Sequence, residues 1–260
     1  MDLFQPKIDK KRIAYSNLNW NMNKFNAPWN VGYTVKLIKD KNFNTINEWI
    51  DYYFSSGEER LKEIEKLSPV RQTILKGKKP HDSIPERHLN YKKGRTKEEV
   101  KQIGRELYQS VLKTGNKGNL TKNECIYIAF YRILCETWNG IMVREKNSKK
   151  LIEEYFMRNS IQIHLVDTFA EFDDEYAVDF EFYKDGQIYC GIQVKPTSYR
   201  ANKDYLIKAK QINKTKNEKY YLKFNRPIFY IYSNENGEIS NIETLKDMLN
   251  FVNNPIKKCV

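Results

Sequence analysis

Apolar residues follow two kinds of spacing along this chain, and the change between them divides it. In the first half they recur every three or four positions. Ile46, Trp49, Ile50, Tyr53 and Phe54 share one helical face, opened by the capping-box pattern Thr45-Ile46-Asn47-Glu48. Ser55-Ser56-Gly57 predicts the end of that helix, and Leu61, Ile64 and Leu67 predict a second one over 58–67. Thr96-x-x-Glu99 opens a helix to about Leu112. Thr121-x-x-Glu124 opens a strongly apolar one through Ile126, Ile128, Ala129, Phe130, Ile133 and Leu134. Helical sequence resumes before Glu145 and runs towards Phe156.

Beyond residue 160 the period shortens to two. Segments 161–166, 177–183, 188–195 and 228–232 predict strands, and 241–252 predicts a closing helix. The expected fold class is α/β. A mixed central sheet flanked by helices occupies 131–260, preceded by a mainly helical part in 1–130. Residues 76–95 interrupt the helices with prolines, glycines and seven Lys or Arg against two acids, which predicts a basic loop.

Two of the strands carry chemistry. Ala177-Val178-Asp179-Phe180-Glu181-Phe182 is followed, after Asp185-Gly186, by Gly191-Ile192-Gln193-Val194-Lys195-Pro196. A plain two-residue turn would set Asp179 opposite Ile192 and turn the acid away from Gln193 and Lys195. A three-residue loop, Lys184-Asp185-Gly186, pairs 179 with 191 and 177 with 193. Asp179, Gln193 and Lys195 then share a face, and Val178, Phe180, Phe182, Ile192 and Val194 share the other. A glycine in third place suits a type I turn closed by a left-handed bulge residue, so the three-residue loop is the expectation.

An acid, an amide and a lysine on one face suit phosphodiester hydrolysis. Mg²⁺ takes hard oxygen ligands. It can supply both a nucleophilic water and charge neutralisation at phosphate. Asp179, the Gln193 amide oxygen and the Val194 main-chain carbonyl are the candidate ligands. Lys195 is the candidate for holding the attacking water and stabilising negative charge. Gln in place of an acid lowers the charge of the site, so a further carboxylate is expected from Glu145 or Glu181.

Charge agrees with such a substrate. The chain of 260 residues carries a net charge of +12, with a pI of about 9.3, which points to a polyanionic partner. The run from Arg200 to Arg226 holds nine Lys or Arg and two acids, interleaved with tyrosines. Candidate DNA contacts are Lys78, Lys79, Lys92, Lys93 and Arg95 in the basic loop, with Tyr199, Arg200 and Lys203 after the second strand. His81 and His88 are assigned no catalytic role. Cys125, Cys135, Cys190 and Cys259 show no CxxC spacing and read as small apolar residues of a reduced, cytoplasmic protein. No apolar run reaches the length of a membrane span, and the polar N-terminus does not read as a signal peptide.

The order acid, then Gln193-x-Lys195, resembles the PD-(D/E)xK nuclease superfamily with Gln at its second acid. More narrowly, the chain resembles the MjaI-type family of type II restriction endonucleases. The resemblance is carried by Thr137 to Glu145 with Ile152, by Val178-Asp179, and by Ile192 to Tyr199 with its Lys-Pro-x-x-Tyr string. Val31-Gly32, Leu37-Ile38 and Glu48 to Tyr53 extend it into the first half. The resemblance implies a Mg²⁺-dependent enzyme that cuts double-stranded DNA at a short palindrome. It also implies a homodimer, a cognate DNA methyltransferase as genetic partner, and Glu145 as the helix carboxylate of the site. The namesake of the family reads CTAG. The alternatives are a repair or junction-resolving nuclease, or a DNA- or RNA-binding protein on a nuclease-like fold without catalysis.

Overall fold

The computed structural model describes residues 9–25, 34–35, 37–39, 41, 43–75, 94–201 and 204–254. They belong to two compact units, Met1–Trp138 and Asn139–Val260. The structure thus divides after Trp138, where residue patterning places the change at 130.

Among the described residues, the first unit includes α1 (Lys10–Tyr15), α2 (Asn17–Met22), α3 (Ile46–Glu65), α4 (Pro69–Leu75), α5 (Lys97–Lys113) and α6 (Lys122–Phe130). Thr96 and Thr121 close full capping boxes with Glu99 and Glu124. Thr45 accepts from the Glu48 amide, while the Glu48 carboxylate reaches the Asn44 amide instead of that of Thr45. The expected break at Ser55-Ser56-Gly57 does not occur, and α3 runs through it. Small residues serve another purpose there. A Cβ on Gly57 would lie 1.8 Å from the Arg95 carbonyl oxygen, and Ser56 accepts a 2.7 Å hydrogen bond from the Arg95 guanidinium. The helix is thinned so that another segment can pack on it. Trp49, Tyr53, Leu107, Ile128 and Leu134 form the buried centre of this unit.

The chain enters the second unit through two π-helical turns, Tyr131–Cys135 and Asn139–Glu145, and continues as α7 (Lys146–Arg158). Then follow β1 (His164–Asp167), α8 (Ala170–Tyr176), β2 (Phe180–Lys184), β3 (Gln187–Pro196), α9 (Asp204–Phe224), β4 (Ile228–Ser233) and α10 (Ile242–Asn253). The sheet order is β1-β2-β3-β4. The first two pairings are antiparallel and β3 pairs with β4 in parallel, with α9 as the crossover. This is the mixed, helix-flanked sheet expected of a restriction-endonuclease core.

The two faces of the sheet differ in character. Leu165, Phe180, Phe182, Cys190, Ile192, Val194 and Ile231 pack with Ile152 and Phe156 of α7 and with Leu245, Met248 and Val252 of α10. Complete burial of each large apolar side chain contributes about 1.5–3 kcal/mol, so this face holds the unit together. The opposite face carries Glu181, Gln193, Lys195, Tyr230 and Tyr232 under α8 and α9. Val178 belongs with it, packed against Tyr176 and Tyr220 rather than with Phe180 and Phe182 as expected. It precedes β2 in a kinked segment, so strand alternation does not govern its direction.

Among the described residues no helix is long and apolar enough to cross a membrane. Cys125, Cys135 and Cys190 are free thiols.

Candidate active site

The hairpin that joins β2 to β3 corrects the expected loop. Lys184 pairs with Gln187, so the turn has two residues, Asp185 and Gly186. Both have positive φ, 50° and 74°, as hairpin turns of type I′ require. The extra residue lies one step further on. Tyr183 pairs with Ile188 but Phe182 pairs with Cys190, leaving Tyr189 as a bulge. Beyond it Phe180 pairs with Ile192, so Asp179 comes opposite Gln193, not Gly191. A two-residue turn and a bulge restore the alternation that a three-residue loop would also have given. Gln193 and Lys195 share a face of β3, and Asp179, just before β2, reaches across to the Val194 amide.

Asp179 sits where β2 begins. The chain reaches it through Ala177, which ends α8 in the left-handed region at φ 55°, a conformation alanine adopts at a cost. The Asn217 side chain of α9 holds this kink by donating to the Tyr176 carbonyl at 2.9 Å. Thr168 fastens the next step, its amide donating to the Asp179 carbonyl at 3.1 Å and its hydroxyl to the Val178 carbonyl. The Asp179 amide donates to the Ile192 carbonyl at 2.9 Å. Its carboxylate accepts the Val194 amide at 2.7 Å. These two bonds bracket Gln193. One carboxylate oxygen is thereby fixed, and the other accepts no hydrogen bond among the described residues. The side chain is 5% exposed.

Gln193 is 1% exposed. Its side-chain oxygen is buried and accepts no hydrogen bond. An amide oxygen left so costs about 1–3 kcal/mol, a cost that a cation at this place would remove. Val194 supplies a third oxygen. Its amide points at Asp179, and in an extended strand the carbonyl of the same residue points to the same side. Carboxylate, amide and carbonyl oxygens are all hard donors that could hold a divalent cation. Among the described residues, no group of three or more His, Cys, Asp and Glu is placed to hold a metal. Any cation here depends on the neutral oxygens.

Lys195 lies two residues beyond Gln193 on the same strand, partly exposed, with its ammonium 5.9 Å from the Tyr199 ring centre. Across the parallel pairing, Tyr230 neighbours Gln193 and Tyr232 neighbours Lys195. Tyr230 donates its hydroxyl proton to the Asn217 side-chain oxygen. Burial first, then Tyr199 and Tyr232, and then the Asp179 charge hold the Tyr230 phenol well above its ordinary pKa. Sequence reading did not pick out Tyr230, Asn217 or Thr168. Tyr230 carried a usable signal, alternation within a strand; Asn217 and Thr168 act through main-chain atoms and left none.

The two further carboxylates are placed differently. Glu181 accepts from the Tyr220 hydroxyl at 3.2 Å and the Tyr183 hydroxyl at 3.5 Å. Glu145 ends the π-helical turn before α7. One helical turn later, Lys149 lies 5.6 Å from the Phe180 ring and pairs with Asp167. The neighbouring Asn147 bonds the turn after β4 through the Asn236 carbonyl at 2.8 Å. Those contacts bring the start of α7 to the Asp167 and Asn236 end of the sheet.

Of the expected DNA contacts, Arg200 is exposed, 5.4 Å from the Tyr232 ring centre. Tyr199 is buried, its hydroxyl accepting from Asn213 at 2.9 Å. Arg95 is 2% exposed, bonded to Ser56 and lying 5.1 Å from the Tyr53 ring centre. It is enclosed in the packing of the first unit and not on a surface that phosphate reaches. Lys78, Lys79, Lys92, Lys93 and Lys203 lie outside the described residues.

No curated protein and no solved structure gives a significant match to the chain. The family model of the MjaI restriction endonuclease matches residues 15–243. That span takes in helices of the first unit, the sheet, and the candidate site residues from Glu145 to Tyr232. The chain belongs to the MjaI restriction endonuclease family, and is thereby a nuclease whose substrate is DNA.

Proposed function

We propose that the protein is a type II restriction endonuclease that hydrolyses double-stranded DNA with Mg²⁺ at a short palindrome. The observation that carries this reading is the buried, unpartnered oxygen of Gln193 directly across the hairpin from Asp179. Most buried side-chain oxygens in folded proteins have a hydrogen-bond donor, and this one does not.

Asp179, Gln193 and the Val194 carbonyl would hold the cation, with Glu145 as the added carboxylate. Glu181, on β2, is the alternative candidate. A Mg²⁺ ion held there would supply a polarised water and charge neutralisation at the scissile phosphate. The Val194 amide keeps the Asp179 carboxylate pointed across the hairpin, so little reorganisation accompanies binding. Lys195, on the exposed end of the same strand, orients the attacking water and stabilises the charge that builds on the phosphate. Arg200 adds a phosphate contact beside it.

A palindromic target calls for a symmetric dimer with one site per protomer. A matching methyltransferase would protect the host DNA. CTAG, the target of the family's namesake, is the first sequence to test.

The test is incubation of purified protein with plasmid DNA and Mg²⁺, followed by sequencing of the ends. Discrete fragments with a shared palindrome at every cut are the expected outcome. A smear would indicate a nuclease without site specificity, and intact plasmid with Mg²⁺ present would overturn the reading.

A further inference from the structure

On the site face of the sheet, β4 and α9 border an open groove of about 670 Å³. That lies within the range of pockets that take small organic ligands. β4 contributes Tyr230 and Tyr232, whose rings run nearly parallel with centres 6.3 Å apart and 25° between their planes. α9 contributes Lys210, Lys214, Glu218 and Tyr221, the Lys210 ammonium also donating to the Ala201 carbonyl at 3.2 Å. Because Tyr230 pairs with Gln193 and Tyr232 with Lys195, the groove begins where the candidate metal site ends.

We propose that this groove receives one unpaired nucleotide of the DNA strand at the site, its base stacked on the tyrosines and its phosphate met by Lys210 and Lys214. The proposal rests on the nuclease reading above. Three observations favour this occupant. Aromatic faces lined with ammonium groups match a ligand that is flat at one end and anionic at the other. Lys214 lies 4.0 Å from Glu218, both side chains well exposed, a pairing that holds it weakly and leaves it available to phosphate. Tyr221 and Leu222 remain 54% and 82% exposed along the edge of the groove, so its open side is aromatic and apolar.

A base within a duplex must leave its stack to enter, and that costs least for a mismatched or single-stranded base. The groove would therefore favour frayed or distorted DNA next to the cut.

The test is equilibrium binding of the full chain, without divalent cation, to two labelled strands. One is oligothymidylate of about 12 nucleotides, a length within the usual single-strand site sizes. The other has the same phosphates and no bases. The expected result is binding about tenfold tighter for the strand with bases. Tyr221→Ala removes most of that difference, Tyr221→Trp retains it, and Lys214→Ala weakens both strands alike. Equal binding of the two strands by the wild type would overturn the proposal, as would a base-dependent difference that survives Tyr221→Ala. If sedimentation shows Tyr221→Ala turning a dimer into a monomer while the base-dependent difference persists, the face belongs to a second copy of the chain and the proposal fails. Plasmid cleavage by the same preparation separates the two readings. Cutting without base dependence removes the groove alone; base dependence without cutting removes the nuclease alone.

Discussion

The two faces of the four-stranded sheet are made by the same strands and held to opposite standards. On one, Phe180, Phe182, Cys190, Ile192 and Val194 are buried in a cluster closed by α7 and α10. On the other, one residue away in each strand, Asp179 and Gln193 are as deeply buried, yet Gln193 keeps an oxygen with no donor. Close apolar packing on one face gives stability. An incomplete set of partners on the other gives a place for something the chain does not supply. The contrast repeats within the polar face, where Glu181 is engaged by two tyrosines and Asp179, two residues earlier, has an oxygen to spare.

Substitutions on the two faces should separate stability from chemistry. Phe182→Ala empties part of the apolar cluster and should lower stability by about 3–5 kcal/mol, measured by denaturant unfolding. Cleavage per folded molecule should stay near wild type; a matching loss of both would show that the faces are not independent. Lys195→Ala should do the reverse, reducing the cleavage rate about 10²–10³-fold with an unchanged unfolding midpoint. Glu145→Gln should raise the Mg²⁺ concentration for half-maximal cleavage about tenfold or more, and Glu181→Gln should raise it less. The opposite ranking would move the added carboxylate to β2.

Acid and alkali should act on different groups. In the first unit, Arg12 grips Glu124 at 2.6 and 2.8 Å and is the main reason its carboxyl is held down at about 2. A depressed carboxyl stabilises the fold above its unfolded pKa near 4.5, and that support is lost as pH falls towards 2. Burial raises Tyr53 in the first unit and Tyr220 and Tyr230 in the second. Their contribution is complete below the unfolded tyrosine pKa of about 10 and is lost as pH climbs through the raised values. Arg12→Gln should thus blunt the acid transition and leave the alkaline one in place, as followed by circular dichroism.

Much of this contrast could be read from residue order. Alternation between Phe180 and Phe182 and between Ile192 and Val194 marked the apolar face. The acid, the amide and the lysine marked the other. The turn was not legible, because two backbone solutions, a three-residue loop or a two-residue turn with a bulge at Tyr189, satisfy the same pattern. Gly57 misled for a similar reason. A glycine between two serines is written the same way whether it ends a helix or admits a neighbouring backbone, and here it admits the Arg95 carbonyl. Arg95 itself shows that a basic stretch in sequence need not be a basic surface. Asn217 was invisible because its partners are main-chain carbonyls and a tyrosine hydroxyl far away in the chain.

The central claim is that Gln193 keeps its oxygen free for a cation and not for the fold. Gln193→Leu addresses it directly, measured twice on one preparation: unfolding midpoint, and Mg²⁺-dependent plasmid cleavage. The expected result is a midpoint equal to or above that of the wild type, since an unpaired buried oxygen costing about 1–3 kcal/mol is gone, together with loss of cleavage. A variant that still cuts at the wild-type rate with the wild-type Mg²⁺ requirement would contradict the metal site, and a clear loss of stability would show that the glutamine was structural after all.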